Sequence, residues 1–212
     1  MTLRLGDTAP DFEQDSSVGR IKLHDYLGTG WGVLFSHPAD FTPVCTTELG
    51  LTARLKPEFD KRNVKVLALS VDAAESHKRW IADIDDTQKT VVGFPIIADP
   101  DRKVAELYDM IHPSASATAT VRSLFIIDPA KKVRLIITYP MSVGRNFDEI
   151  IRVIDALQLS DKYTVATPGN WKPGDDVIIP LTVQDPEVIK QKYPKGVTSP
   201  RPYLRFTPAP DQ

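Results

Sequence analysis

Uninterrupted apolar runs alternate along this chain with stretches in which apolar residues recur every three to four positions. Trp31-Gly-Val-Leu-Phe35 and Val64-Lys-Val-Leu-Ala-Leu-Ser-Val71 lack the regular alternation of a half-wet strand, so they predict strands buried on both faces. Residues 43–62 carry Leu49, Leu51, Leu55 and Phe59 on one helical face, and a second helix is expected from Ala74 to about Asp85 with Asp72 as its N-cap. Pro95 to Ala98 reads as short and extended, and Arg102 to Tyr108 as a short helix. Arg122–Asp128 and Val133–Tyr139, joined by Pro129-Ala-Lys-Lys132, predict an antiparallel hairpin. Phe147 to Leu159 repeats Phe147, Ile150, Ile151, Ile154 and Leu157 at helical spacing and predicts an amphipathic helix.

This order of elements predicts an α/β, thioredoxin-like fold with parallel and antiparallel strands in one sheet. Nine of the 18 prolines lie from Val165 onward, which forbids any long helix there. The division expected is therefore a main domain over 1–164 and a proline-rich C-terminal extension over 165–212. Trp171, Tyr193, Tyr203 and Phe206 are too much apolar surface for a disordered tail, so the extension should be an ordered arm packed on the main domain or on a second subunit. A net charge of −2 gives no reason to expect nucleic acid or an anionic membrane as partner. No stretch approaches the roughly 20 apolar residues of a membrane span, and a lone cysteine gives no sign of an oxidising compartment; cytoplasmic residence is the expectation.

That cysteine, Cys45, falls where a thiolate is useful. It follows a buried strand and a turn bracketed by Pro38 and Pro43, and it sits in the first turn of a predicted helix, where unpaired N–H groups and the positive end of the macrodipole favour the anion. Pro43 suits the first helical position, and Asp40 or Thr42 is placed to supply the N-cap oxygen. So polar a setting predicts an exposed helix mouth around the sulfur.

The spacing Pro38-x-x-x-Thr42-x-x-Cys45 resembles the active-site signature of the peroxiredoxins. The longer string Phe35-Ser-His-Pro-Ala-Asp-Phe-Thr-Pro-Val-Cys-Thr-Thr-Glu-Leu49 is similar to their one-cysteine, mammalian-type class, and matches such as Gly144-Arg-Asn-Phe-Asp-Glu-Ile150 and Pro194-Lys-Gly-Val197 extend the resemblance over nearly the whole chain. The resemblance implies a thiol-dependent peroxidase that acts on hydrogen peroxide and alkyl hydroperoxides; no cofactor is expected, and the aromatic residues of the arm, which its own short structure should not cover, predict a homodimer. Cys45 would be the nucleophile, with Thr42 orienting the peroxide, Pro38 shielding the thiolate and Arg122 as the neighbouring cation. Arg145 would be a second cation and Glu48 the acid that orients both arginines; His37 and the Val44 N–H would complete the pocket. With no second cysteine, an external thiol or protein reductant must resolve the sulfenic acid.

Other patterns are weaker. His24, His37, His77 and His112 have no ligand-like mutual spacing, so no metal is expected. Mammalian members of the class are credited with a phospholipase activity, but this chain has Gly30 and Ala130 where that triad's serine and acid would fall, leaving His24 a structural role beside Asp25. A redox sensor or holdase on the same fold is the remaining alternative.

Overall fold

The apolar run after Gly30 becomes the middle of a seven-stranded sheet. In the computed structural model, which describes residues 3–210, β1 (Glu13–Ser16), β2 (Gly19–Lys22), β3 (Trp31–Ser36), β4 (Val64–Ser70), β5 (Ile96–Ala98), β6 (Arg122–Ile127) and β7 (Val133–Tyr139) lie in the order β2-β1-β5-β4-β3-β6-β7. β3, β4 and β5 run parallel, whereas β6 and β7 form the expected hairpin, antiparallel to β3. Every residue of β3 and β6 is buried, as continuous apolar runs require, whereas the edge strand β7 is mostly half-buried. The helices of this unit are α1 (Leu23–Leu27), α2 (Pro43–Lys61), α3 (Ala74–Gln88) and α4 (Lys103–Leu107).

Side chains alternate across the strands. Leu34, Leu67, Leu69, Ile97 and Phe125 join one core cluster with Tyr108 of the segment after α4. Phe35 points to the other face, where it meets Phe94 and Phe147. Leu124 pairs directly with Phe35, so Arg122, two residues earlier on β6, projects on that same face. This register is what brings an arginine to the cysteine side of the sheet.

Two compact units divide the chain, Met1–Phe147 and Asp148–Gln212. The second contains most of α5 (Phe147–Tyr163), then a small sheet of β8 (Val177–Ile178), β9 (Thr198–Arg201) and β10 (Leu204–Thr207) in the order β8-β10-β9, with α6 (Pro186–Lys192) between. Its proline-rich part, from Val165, follows α5. Trp171, Val177, Ile179 and Tyr193 close a buried cluster with Ala156 and Leu159 of α5, and the Tyr193 hydroxyl donates to the Thr164 carbonyl at 2.7 Å. The arm thus covers most of its large apolar residues within its own unit.

One reading of the sequence needs correction, and two strand-forming segments escape it. The N-cap of α3 is Ala73, and no side chain caps it; the Asp72 carboxylate instead accepts from the Asp40 N–H and the Ser70 hydroxyl. The polar segment Glu13-Gln-Asp-Ser16 forms a strand that the hydrophobic pattern does not announce, because its hairpin with β2 is held by backbone pairing around a two-residue turn that ends at Gly19, φ +114°. Residues 198–207 likewise form exposed or half-buried strands with no apolar alternation to reveal them.

α2 and α3 come close together at Gly50. A Cβ there would lie 2.5 Å from Cγ and 2.7 Å from Cβ of Gln88, at the foot of that side chain where little movement is possible. Gly50→Ala should therefore lower stability by about 1–3 kcal/mol despite the better helix propensity of alanine. Denaturant unfolding checks this; a variant as stable as the parent would show that the helices can separate at little cost.

Candidate functional site

The site is assembled where β3 ends and α2 begins. Pro43 occupies the first turn of α2 and Thr42 is its N-cap, extended at φ −115°, ψ 148°. The Thr42 hydroxyl does not cap the helix: it donates to the Ala39 carbonyl at 2.9 Å, while the Thr42 carbonyl accepts from the N–H and the hydroxyl of Thr46. The Asp40 carboxylate does not cap it either. The first-turn amides are thus left free of a side-chain cap, and those of Val44 and Cys45 lie before the helix can satisfy its own donors. Phe41 sits between these residues at φ +53°, a left-handed conformation costly for a bulky side chain, and keeps its ring half-exposed.

Cys45 itself is completely buried, which overturns the expectation of an exposed helix mouth. The polar residues around it form a closed shell. Arg122 Nη1 donates to Cys45 Sγ at 3.3 Å and to Glu48 Oε2 at 2.7 Å, while Nε and Nη2 both hold the Met141 carbonyl, at 2.9 and 2.7 Å. Glu48, one turn after Cys45, also accepts from Arg145 through Nε at 2.9 Å, Nη2 at 2.8 Å and the backbone N–H at 2.7 Å. Arg145 Nη1 donates to the Ser123 carbonyl, and its guanidinium packs 4.8 Å from the Phe35 ring and 5.7 Å from Phe147. Burial would push the Glu48 carboxyl up, but the hydrogen bonds and charge of Arg145, followed by the charge of Arg122, hold it below the usual range.

This cluster has a charge consequence. Two guanidinium groups share one carboxylate in a space from which water is excluded, leaving one surplus positive charge beside the sulfur. A thiolate balances it and a thiol does not.

Around the cluster, Pro38 is buried, and Thr42 and Val44 are half-buried in the turn and first helical turn. His37 is fully buried and bonded elsewhere: Nε2 lies 3.0 Å from Asp40 Oδ1, its N–H donates to the Leu69 carbonyl, and its carbonyl accepts from Thr120. Sequence spacing misses what Asp40 does next. Its Oδ2 accepts from Nδ1 of His77, on α3, at 2.8 Å, so two histidines with no ligand-like spacing meet on one carboxylate. Burial pushes the Asp40 carboxyl up and the two histidine hydrogen bonds override it, holding it well below the ordinary range; burial pushes the His37 imidazole down against the pull of Asp40. Trp80, one turn along α3, lies 5.0 Å from the His37 ring and donates to the Thr46 hydroxyl at 3.2 Å. His77, Trp80 and the Met141 carbonyl are the contributors that sequence reading misses, and Asp40, expected as a cap, instead joins the two histidines. His24, expected beside Asp25, instead meets the Ala9 carbonyl through Nε2 at 2.8 Å and takes the Asp11 carboxylate on its backbone N–H.

The sequence of the AhpC/TSA family matches residues 5–136, and the C-terminal domain of 1-Cys peroxiredoxin matches residues 156–196. The chain belongs to the one-cysteine peroxiredoxins. A 1-Cys peroxiredoxin of Dictyostelium discoideum is 59% identical over 99% of this chain and 87% of its own length, and Peroxiredoxin-6 of Mus musculus is 50% identical over 98% of each. The solved structure of a yeast mitochondrial 1-Cys peroxiredoxin, described with its resolution through glutathione/thioredoxin systems, superposes with a TM-score of 0.92 at 56% identity, over 98% of this chain and 100% of the other. As a peroxiredoxin, this protein is a thiol-dependent peroxidase of thioredoxin-like fold.

The two depressed carboxylates set an acid limit. Each binds its proton less readily folded than unfolded, so the stability they provide is complete above about pH 4–5 and is lost as the pH falls further, toward their folded values. Melting temperature should fall steeply below about pH 4. Glu48→Gln should already be less stable at pH 7, by about 3–5 kcal/mol, because it leaves two buried guanidinium groups without a counter-charge, and its decline in acid should be shallower. Scanning calorimetry across pH tests both; identical slopes in the two proteins would show that Glu48 does not carry the acid limit.

Proposed function

We propose that this peroxidase reduces hydrogen peroxide and alkyl hydroperoxides through a sulfenic acid on Cys45, resolved by an external thiol, with Arg122 as the cation that holds the reacting sulfur. The single observation that carries the assignment is the Arg122 guanidinium, fixed on the Met141 carbonyl and bridging Cys45 Sγ and Glu48 in the absence of bulk water. The Cys45 thiolate attacks the distal peroxide oxygen; the S–O bond forms as the O–O bond breaks, and the leaving alkoxide or hydroxide takes up a proton as alcohol or water. Sulfur gives up two electrons and the peroxide gains them. Thr42 has its hydroxyl proton committed to Ala39, so its oxygen faces the substrate as an acceptor and orients the peroxide O–H. The Val44 and Cys45 amides and Arg122 oppose the charge that develops on the departing oxygen, Arg145 and Glu48 keep Arg122 in place, and Pro38 and His37 close the wall of the pocket.

Since Cys45 is the only cysteine, an incoming thiolate must attack its sulfenic sulfur, expel water and leave a mixed disulfide that a second thiol opens. The resolution of the yeast relative through glutathione/thioredoxin systems supports glutathione or a thioredoxin as reductant here. Cytoplasmic residence is part of the same reading, supported by the sparse use of cysteine. So is a homodimer, supported by Leu181, Val197 and Tyr203, which stay 56%, 42% and 66% exposed on the second unit. Tyr203→Ser should weaken association in sedimentation velocity; an unchanged assembly removes that residue from the interface.

Cys45→Ser should fold normally and lose peroxide-dependent thiol oxidation, and substantial residual turnover would sink the assignment. Arg122→Met should slow the peroxide reaction by about 10²–10³-fold, the loss expected on removing one preorganised donor. A rate within a few-fold of the parent would place Arg122 outside the chemistry. Excess peroxide without thiol should add two and then three oxygens to the intact mass as activity disappears; arrest at an intersubunit disulfide would contradict a single-cysteine cycle.

A further inference from the structure

The second unit holds a cavity of about 230 Å³ that the peroxide chemistry does not use. Three elements end at it: Tyr163 is the last residue of α5, Lys192 of α6 and Thr207 of β10. Proline follows within two residues of the latter two, so Pro194 and Pro208 stand in the wall. Their rings fix the backbone there, which favours a cavity that is formed before anything fills it. Lys195 Nζ donates to the Ala209 carbonyl at 2.7 Å and pins the chain after β10 to the loop after α6.

The lining divides into apolar walls and unengaged polar groups. Tyr193 is 3% exposed and its hydroxyl is spent on the Thr164 carbonyl, which leaves its ring for the wall. Thr207 is 2% exposed, yet its hydroxyl bonds to no described residue. That oxygen is not sealed off either, so the little exposure it keeps opens on the cavity. A hydroxyl withdrawn from bulk water and given no protein partner is one for a water or a ligand to satisfy. Tyr163, whose ring lies 4.8 Å from the Lys162 ammonium, likewise commits its hydroxyl to no described residue. The charges are of one sign. Lys192 and Lys195 line the cavity and, among the described residues, no aspartate or glutamate does; Lys192 makes no ion pair with a described residue. An apolar cavity of about 150 Å³ takes up benzene, so this one has room for a ring and a short chain. Aromatic and proline walls suit the ring, and an ammonium with two free hydroxyls suits a carboxylate at the end of the chain.

We propose that this cavity is a binding site for a small amphipathic carboxylate, an aromatic ring on a short acid chain, with the ring among Tyr193, Pro194 and Pro208 and the carboxylate accepting from Lys192 and from the hydroxyls of Thr207 and Tyr163. The site lies wholly within the second unit and makes no use of Cys45, so it stands or falls separately from the peroxidase reading.

The test is a titration of the full-length protein with hydrocinnamate, followed by heteronuclear NMR. The amide signals of Tyr163, Lys192, Tyr193 and Thr207 should shift saturably, while those from Val44 to Glu48 stay in place. Hydrocinnamamide, the same body without the charge, should bind about ten-fold more weakly, the difference between a charge-assisted hydrogen bond and a neutral one. Acetate, the charge without the ring, should produce no saturable shift. Lys192→Gln alters only an exposed side chain and should lose about ten-fold in affinity, and Thr207→Val, which keeps the shape and removes the hydroxyl, about five-fold. Tyr163→Phe removes a single oxygen and should lose a similar factor, which covers the case in which the Thr207 variant fails to fold. No saturable shift up to about 10 mM hydrocinnamate, a millimolar affinity being worth only about 4 kcal/mol, overturns the proposal. So does equal binding of acid and amide, undiminished binding to Lys192→Gln, or shifts confined to the residues around Cys45.

Discussion

Everything at this site depends on one buried carboxylate serving two buried guanidinium groups. Desolvating three charges together is costly, and it is tolerable only because each donor is spoken for: Arg145 by Glu48 and the Ser123 carbonyl, Arg122 by Glu48, the Met141 carbonyl and the sulfur. The arrangement contributes to function through its imbalance. Had the chain supplied a second acid, the cluster would be neutral with a protonated thiol. With one acid it reaches neutrality when the sulfur is an anion, so the electrostatics of folding and of nucleophile activation are the same interaction.

The sheet makes that cluster possible by geometry alone. Antiparallel pairing of β6 with β3 sets Arg122 on the face to which α2 delivers Cys45 and Glu48, three residues apart and so neighbours on the helix surface. α3 then works from the flank. Through Trp80 and His77 it contacts the turn before α2 and the helix's first turn, and the close crossing at Gly50 is the packing condition that lets it do so. Residues outside the charged cluster thereby fix the position of those within it.

How much of this was legible in the sequence follows from how local each contact is. Cys45, Thr42, Pro38 and Glu48 fall within a run of fifteen residues whose turn chemistry and helical register are readable, and Arg122 announces itself as a charge at the head of an apolar strand. The buried strands were legible for the same reason, since their lack of alternation is a direct trace of burial on both faces. The bond between His77 and Asp40 spans 37 residues and leaves no trace in any local pattern. Asp72 looked like a cap because capping is what an aspartate before a helix most often does; here the turn at Asp40 and the Ser70 hydroxyl had the stronger claim on it. The burial of Cys45 was misjudged because polar neighbours normally signal solvent. In this turn their polar groups are consumed by one another.

The uncapped start of α2 carries a final consequence. A threonine stands at the N-cap, yet its hydroxyl is spent on Ala39, and the helix forgoes a stabilisation of about 1 kcal/mol that a conventional cap would contribute. Stability engineering guided by helix rules would single out this position and complete the cap. The result would be a tougher protein and, on the mechanism proposed above, a poorer enzyme, because the amides so satisfied are those proposed to oppose the charge on the departing oxygen, and the hydroxyl so redirected would no longer offer its lone pair. On that reading the missing cap is kept for the transition state, and resistance to heat and speed with peroxide are set against each other at a single residue.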